Sequence, residues 1–134
     1  MIRLLSALGL AALAAGACVP ANAALPTHVG VRIHYSRFEP NRIEVPANVP
    51  VTFTITNDDP IDHEWLLGDA AFHERHRTGK EPAHGERPDE VSLPPLATRT
   101  TTLTFQTPGT LTYICHFPGH EAYGMVGIVV VKPA

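Results

Sequence analysis

Cys115, His120 and Met125 lie on one short stretch of chain, with four residues between the thiol and the imidazole and four more before the thioether. A trigonal pair of histidines and a cysteine, with a weak axial methionine, is the ligand set of blue-copper electron-transfer sites. This loop supplies three of the four groups. The second imidazole has to come from elsewhere in the chain, and His63 is placed to provide it. It follows the alternating run Val51–Asn57 and the turn at Asp58-Asp59-Pro60, where a sandwich brings a strand end beside the Cys115 loop. His116 adjoins Cys115 and is expected on the opposite side of the strand end, so it is read as non-ligating.

The state of Cys115 depends on what happens upstream. Met1 to Arg3 carries the only early positive charge, Leu4 to Val19 is an uncharged Ala/Leu-rich run, and Ala21-Asn22-Ala23 follows. That is the pattern of a secretory signal peptide cleaved after Ala23, leaving a mature domain over residues 24–134. A retained membrane span is not expected, because the run is short and no stop-transfer cluster follows. Cys18, after Ala15-Gly16-Ala17, raises a second reading as a lipoprotein attachment site, although Ala15 stands where a leucine is usual. Cleavage after Ala23 leaves Cys115 as the single cysteine of an exported protein, in a compartment where thiols usually pair. A lone thiol there is an intermolecular partner, a nucleophile or a metal ligand. A Cys-His hydrolase would need an oxyanion site beside the thiol, and it would leave Met125 without a task.

These ligands need a rigid frame, and the rest of the sequence describes one. A chain of 134 residues accommodates one domain. The net charge of −3 lacks the basic excess of a nucleic-acid binder, so no nucleic-acid partner is expected. Apolar residues alternate with polar ones at Val29-Val31-Ile33-Tyr35, Ile43-Val45, Val51-Phe53-Ile55 and Thr101-Leu103-Phe105. Leu111 and Tyr113 lead into Cys115, and Val126 to Val131 is a β-branched run. Period-two patterning in such residues predicts half-buried strands, hence an all-β, antiparallel β-sandwich.

Gly68 to Pro95 breaks the alternation. It is polar and Pro-rich, with His73, His76 and His84, and reads as a surface excursion. Asp69 is positioned to cap a short helix from Ala70 to about Arg77. The three histidines are expected to be solvated. The sharper reading is a second, weaker metal site, since His73 and His76 would share a helix face. His28 and His34 have no partner pattern, and Trp65 is expected in the core.

With these residues in place, the sequence resembles the cupredoxin family. The C-x4-H-x4-M loop is similar to that of rusticyanin and plantacyanin. The block Phe38-x-Pro40-x-x-Ile43-x-Val45-Pro46, then Val51-x-Phe53-x-Ile55-x-Asn57 and His63, resembles the first half of bacterial cupredoxins. The resemblance spans most of residues 29–132. It implies a Greek-key sandwich with one copper ion at one end, held by His63, Cys115, His120 and Met125. It further implies a non-enzymatic electron carrier that docks redox partner proteins through an apolar patch around His120; a monomer is the default expectation. A dinuclear copper site would need a second cysteine in the loop. A periplasmic copper carrier, store or sensor built on the same ligands is the alternative. Three departures stand out: Ala47-Asn48-Val49-Pro50 lacks the usual turn glycine, the Gly68 to Pro95 segment is long, and Glu64 follows the first histidine. Several family members carry there a residue that hydrogen-bonds the thiolate, a bond that an ionised carboxylate cannot donate.

Overall fold

β-Branched and aromatic residues on one side of each period-two run, with threonines and charges on the other, fold into two packed sheets. The computed structural model describes residues 24–80 and 86–134. The signal peptide expected over residues 1–23, with Cys18, and His84 lie outside the described residues. The strands are β1 (His28–Ile33), β2 (Phe38–Glu39), β3 (Arg42–Pro46), β4 (Pro50–Asn57) and β5 (His63–Gly68). Helix α1 (Ala70–Arg77) follows, then β6 (Glu90–Leu93), β7 (Thr98–Thr104), β8 (Gly109–Ile114) and β9 (Val126–Lys132). One sheet runs β2-β1-β4-β7 and the other β3-β9-β8-β5-β6.

The inward positions make one core. Val31, Ile33, Val51, Phe53 and Ile55 of the first sheet face Ile43, Val45, Trp65, Leu67, Tyr113 and Val129 of the second. Each such side chain, fully buried, contributes roughly 1.5–3 kcal/mol relative to exposure. Trp65 is core, as expected, and its ring packs 5.2 Å from that of Phe53 and 6.0 Å from that of Tyr113.

The all-β sandwich agrees with the sequence reading, with one refinement. The sheets are mixed: β1 pairs in parallel with β4, and β3 in parallel with β9. Between β1 and β4 the chain makes one antiparallel return and then crosses to the other sheet, so β4 comes back in the direction of β1. Asn48 takes the left-handed conformation, φ 58, in the turn that lacks a glycine. Asparagine tolerates that region better than most residues, so the turn forms without a glycine.

The stretch 68–95 is more structured than a surface excursion. Helix α1 has the expected bounds, and Asp69 caps it by accepting from the Phe72 amide at 2.7 Å. The helix packs on the outer face of β5 and β8, where Leu66, Ile114 and Phe72 are buried. After residues 81–85 the chain forms β6, which pairs with β5 at the sheet edge. Flanking prolines at 88, 94 and 95 conceal this strand in the sequence. Val91 and Leu93 alternate over too few residues to stand out.

Candidate metal centre

Strand alternation decides which residues reach the site. β5 and β8 are antiparallel neighbours in the middle of their sheet, with Leu66 opposite Ile114. His63, Trp65 and Leu67 therefore face the core, while Glu64 and Leu66 face outward. On the other strand Tyr113 and Cys115 point in, and Ile114 and His116 point out under α1. His63 and Cys115 thus meet at one end of the sandwich, 1% and 0% exposed.

The loop after Cys115 winds back on itself to bring the other donors. His120 N–H donates to Phe117 O at 3.0 Å, Tyr123 N–H to Gly119 O at 3.0 Å, and Gly124 N–H to Glu121 O at 2.9 Å. Met125 N–H donates to His120 O at 3.0 Å, and Cys115 N–H to Met125 O at 3.3 Å. Gly119 and Gly124 hold φ of 85 and 91, a region closed to most side chains, immediately before His120 and Met125.

One donor atom each from His63, Cys115 and His120 lies within 4.8 Å of the others, the one such trio among the described residues. Cys115 Sγ is 3.2 Å from His120 Nδ1, and the two imidazole rings stand 4.9 Å apart between centroids. His63 Nδ1 is buried with no hydrogen-bond partner among the described residues. A buried polar atom without a partner is costly unless something occupies its lone pair, and a metal ion does so. The donor set, a thiol between two imidazoles, fits a thiophilic metal. Met125 is fully buried beside the trio in the same cluster as Cys115.

Burial pushes the Cys115 thiol up, while the backbone amides of Phe117 and Glu64 pull it down by hydrogen-bonding the sulfur. Those two amides answer the question raised by the Glu64 carboxylate. Its side chain turns away and Oε1 accepts from the His116 amide at 2.7 Å, with burial raising its carboxyl above the ordinary value.

One residue in contact with the site escaped the sequence reading. His63 Nε2–H donates to Asp59 Oδ2 at 3.0 Å, and Asp59 is itself 6% exposed. Burial pushes the Asp59 carboxyl up, but the amides of Ser36 and Tyr35 together with His63 outweigh it and hold it below the ordinary value. Burial drives His63 the other way, favouring its neutral form. In sequence Asp59 is one acid in a turn, and nothing in its spacing separates it from Asp58 or Asp62.

The remaining histidines correct the sequence reading. His73 is not solvated: it is 2% exposed, its Nε2–H donates to Thr112 O at 2.9 Å, and its Nδ1 accepts from His116 Nε2–H at 2.9 Å. With both ring nitrogens engaged, His73 does not assemble a second centre with His76. His76 is half-buried, with Nδ1–H donating to Phe72 O at 3.0 Å, and its ring stacks on His116. His116 points away from the site, as expected. Its Nδ1 lies 3.3 Å from Glu121, and Arg77 grips that carboxylate at 2.5 Å, tying the loop to α1.

The family model described as a cupredoxin-like domain matches residues 6–131. The chain is 30% identical to "Copper-resistant cuproprotein CopI" of Pseudomonas aeruginosa, over 72% of this chain and 71% of that protein. It is 33% identical to the protein of the same description from Rubrivivax gelatinosus, over 72% of this chain and 60% of that one. Dithionite-reduced auracyanin of Roseiflexus castenholzii superposes with a TM-score of 0.68 at 22% identity, covering 81% of this chain and 99% of that chain. Auracyanin B superposes with a TM-score of 0.64 at 25% identity, covering 81% and 91%.

Proposed function

The chain belongs to the cupredoxin-like domain family, and from that premise we propose that it is an exported blue-copper protein that passes single electrons. His63, Cys115 and His120 would hold one copper ion in a trigonal set, with Met125 as the weak axial donor. The observation that carries this reading is the buried Nδ1 of His63, without a partner among the described residues, beside Cys115 Sγ and His120 Nδ1. Copper bound there would supply a one-electron couple whose potential the axial donor and the burial of the sulfur tune. A mature domain from residue 24, a monomeric state and exchange with redox partner proteins belong to the same proposal. His120 is half-buried next to exposed Pro118 and Tyr123, which suits an electron port at a protein contact. Among the described residues no helix is long and apolar enough to cross a membrane.

The test is the visible spectrum of the purified protein titrated with Cu(II). An intense thiolate-to-copper band saturating at one copper per chain is expected; a weak band, or saturation at another ratio, refutes the reading. The names of the two curated relatives favour a second reading, a copper carrier using the same ligands. Exchange separates the two: an electron carrier keeps its copper through redox cycles, whereas a carrier for delivery surrenders Cu(I) to an acceptor.

A further inference from the structure

Every polar atom of Asp59 is engaged. Its N–H donates to Asn57 Oδ1 at 3.0 Å and its carbonyl accepts from the Leu96 amide at 3.2 Å. Oδ1 accepts from the Tyr35 amide at 2.8 Å, while Oδ2 accepts from the Ser36 amide at 2.7 Å and from His63 Nε2–H at 3.0 Å. Tyr35 and Ser36 both hold positive φ, 50 and 52, an unusual conformation for two successive residues with side chains. It aims two consecutive amides at one carboxylate, making an anion-binding concavity. Asp59 therefore joins the turn after β1, the loop before β5 and the turn before β7 at the end of the sandwich where the donors converge.

We propose that Asp59 is a positioning residue of the metal centre. As a carboxylate gripped by the Tyr35 and Ser36 amides, it fixes His63 with its proton on Nε2, aims Nδ1 at Cys115 and His120, and biases the bound metal toward its oxidised state. The proposal rests on the copper reading above. A carboxylate behind a ligating imidazole raises the basicity of the ligand nitrogen, and removing such a partner typically costs 10–100-fold in metal affinity. The extra negative charge stabilises a divalent ion more than a monovalent one. Asp59 thus acts on the difference between Cu(II) and Cu(I), which a scaffolding residue would not.

The experiment compares wild type with Asp59→Asn, which keeps the shape and an acceptor oxygen but removes the charge. Cu(II) and Cu(I) affinities are measured by chelator competition, and the reduction potential by voltammetry. The expected result is a 10–100-fold loss of Cu(II) affinity with a smaller loss for Cu(I). The potential then rises by about 59 mV for each tenfold change in their ratio. Equal losses for both ions with an unmoved potential would reduce Asp59 to scaffolding and overturn the proposal, as would no loss at all. A measurement on the unaltered protein covers the case in which the variant does not fold. Nitrogen NMR of the metal-free wild type should find the His63 proton on Nε2, and a proton on Nδ1 overturns the proposal. If wild-type protein forms no blue centre, the copper reading fails, and the tautomer then decides the Asp59–His63 pairing alone.

Discussion

Acidifying the metal-free protein from pH 7 to pH 5 should destabilise it steeply, through histidines the fold buries in neutral form. Burial holds His63, His73 and His116 below the ordinary value of 6.5. Their exposures are small: none for the His63 side chain, 2% for His73 and 9% for the His116 side chain. Below pH 6.5 each is protonated in the unfolded chain but still neutral in the folded one. The unfolded state then binds more protons, so stability falls as pH falls, until each folded value is passed. One such group costs about 1.4 kcal/mol per pH unit, and all three set a ceiling of about 4 kcal/mol per unit. Glu64 opposes them, because burial raises its carboxyl above 4.5 and lets the folded state bind a proton first. It offsets at most one of the three. Asp59 and Glu121, held low, lose their contribution only as pH falls from about 4 downward. Against a domain stability of about 5–15 kcal/mol, even a fraction of that ceiling is measurable. Urea denaturation at half-unit pH steps measures it, with the slope against urea checked for constancy. His73→Gln should remove one proton's share of the pH slope. A flat or rising stability from pH 7 to pH 5 would refute the reasoning.

Cys115→Ser should abolish the intense visible band of the copper form while leaving the far-ultraviolet dichroism of the sandwich in place; a retained band would exclude Cys115 as ligand. Met125→Leu should keep the band and raise the reduction potential, since losing a weak donor favours Cu(I); voltammetry reads it, and a lowered potential would mean that Met125 is not axial or that water enters the vacancy. Gly127→Ala should cost about 2–4 kcal/mol in urea denaturation, by overpacking and by loss of a hydrogen bond. A Cβ there would lie 2.2 Å from Tyr113 Cζ, whose hydroxyl donates to Pro40 O at 2.6 Å.

The sandwich was readable because period-two runs such as Val51-Phe53-Ile55 leave little choice of face. The ligand loop was readable because Cys115, His120 and Met125 are neighbours in sequence as well as in space. Helix α1 announced itself through its Asp69 cap. What failed to register shares one physical cause, dependence on contacts between distant segments. His73 reads as a polar helix residue until Thr112 O and His116 take both its nitrogens. β6 is too short to declare itself without β5 beside it, and the parallel pairing of β1 with β4 follows from a crossover that local pattern does not encode. Asp59 is one of several acids in a loop, distinguished only by two amides from a turn more than twenty residues upstream.

The rims of the two sheets have a colloidal consequence. Open strand edges recruit other chains, and proteins blunt them with short strands, charges or proline. β2 ends the first sheet after two residues, and β7, at its other side, is built mostly from exposed threonines with Arg99 among them. In the second sheet β3 carries Arg42, Glu44 and Pro46, and β6 spans four residues. Among the described residues, none of these four rims offers a long apolar row of free amides and carbonyls. Edge-to-edge growth toward fibres is therefore disfavoured at these strands, even where the chain is crowded among copies of itself.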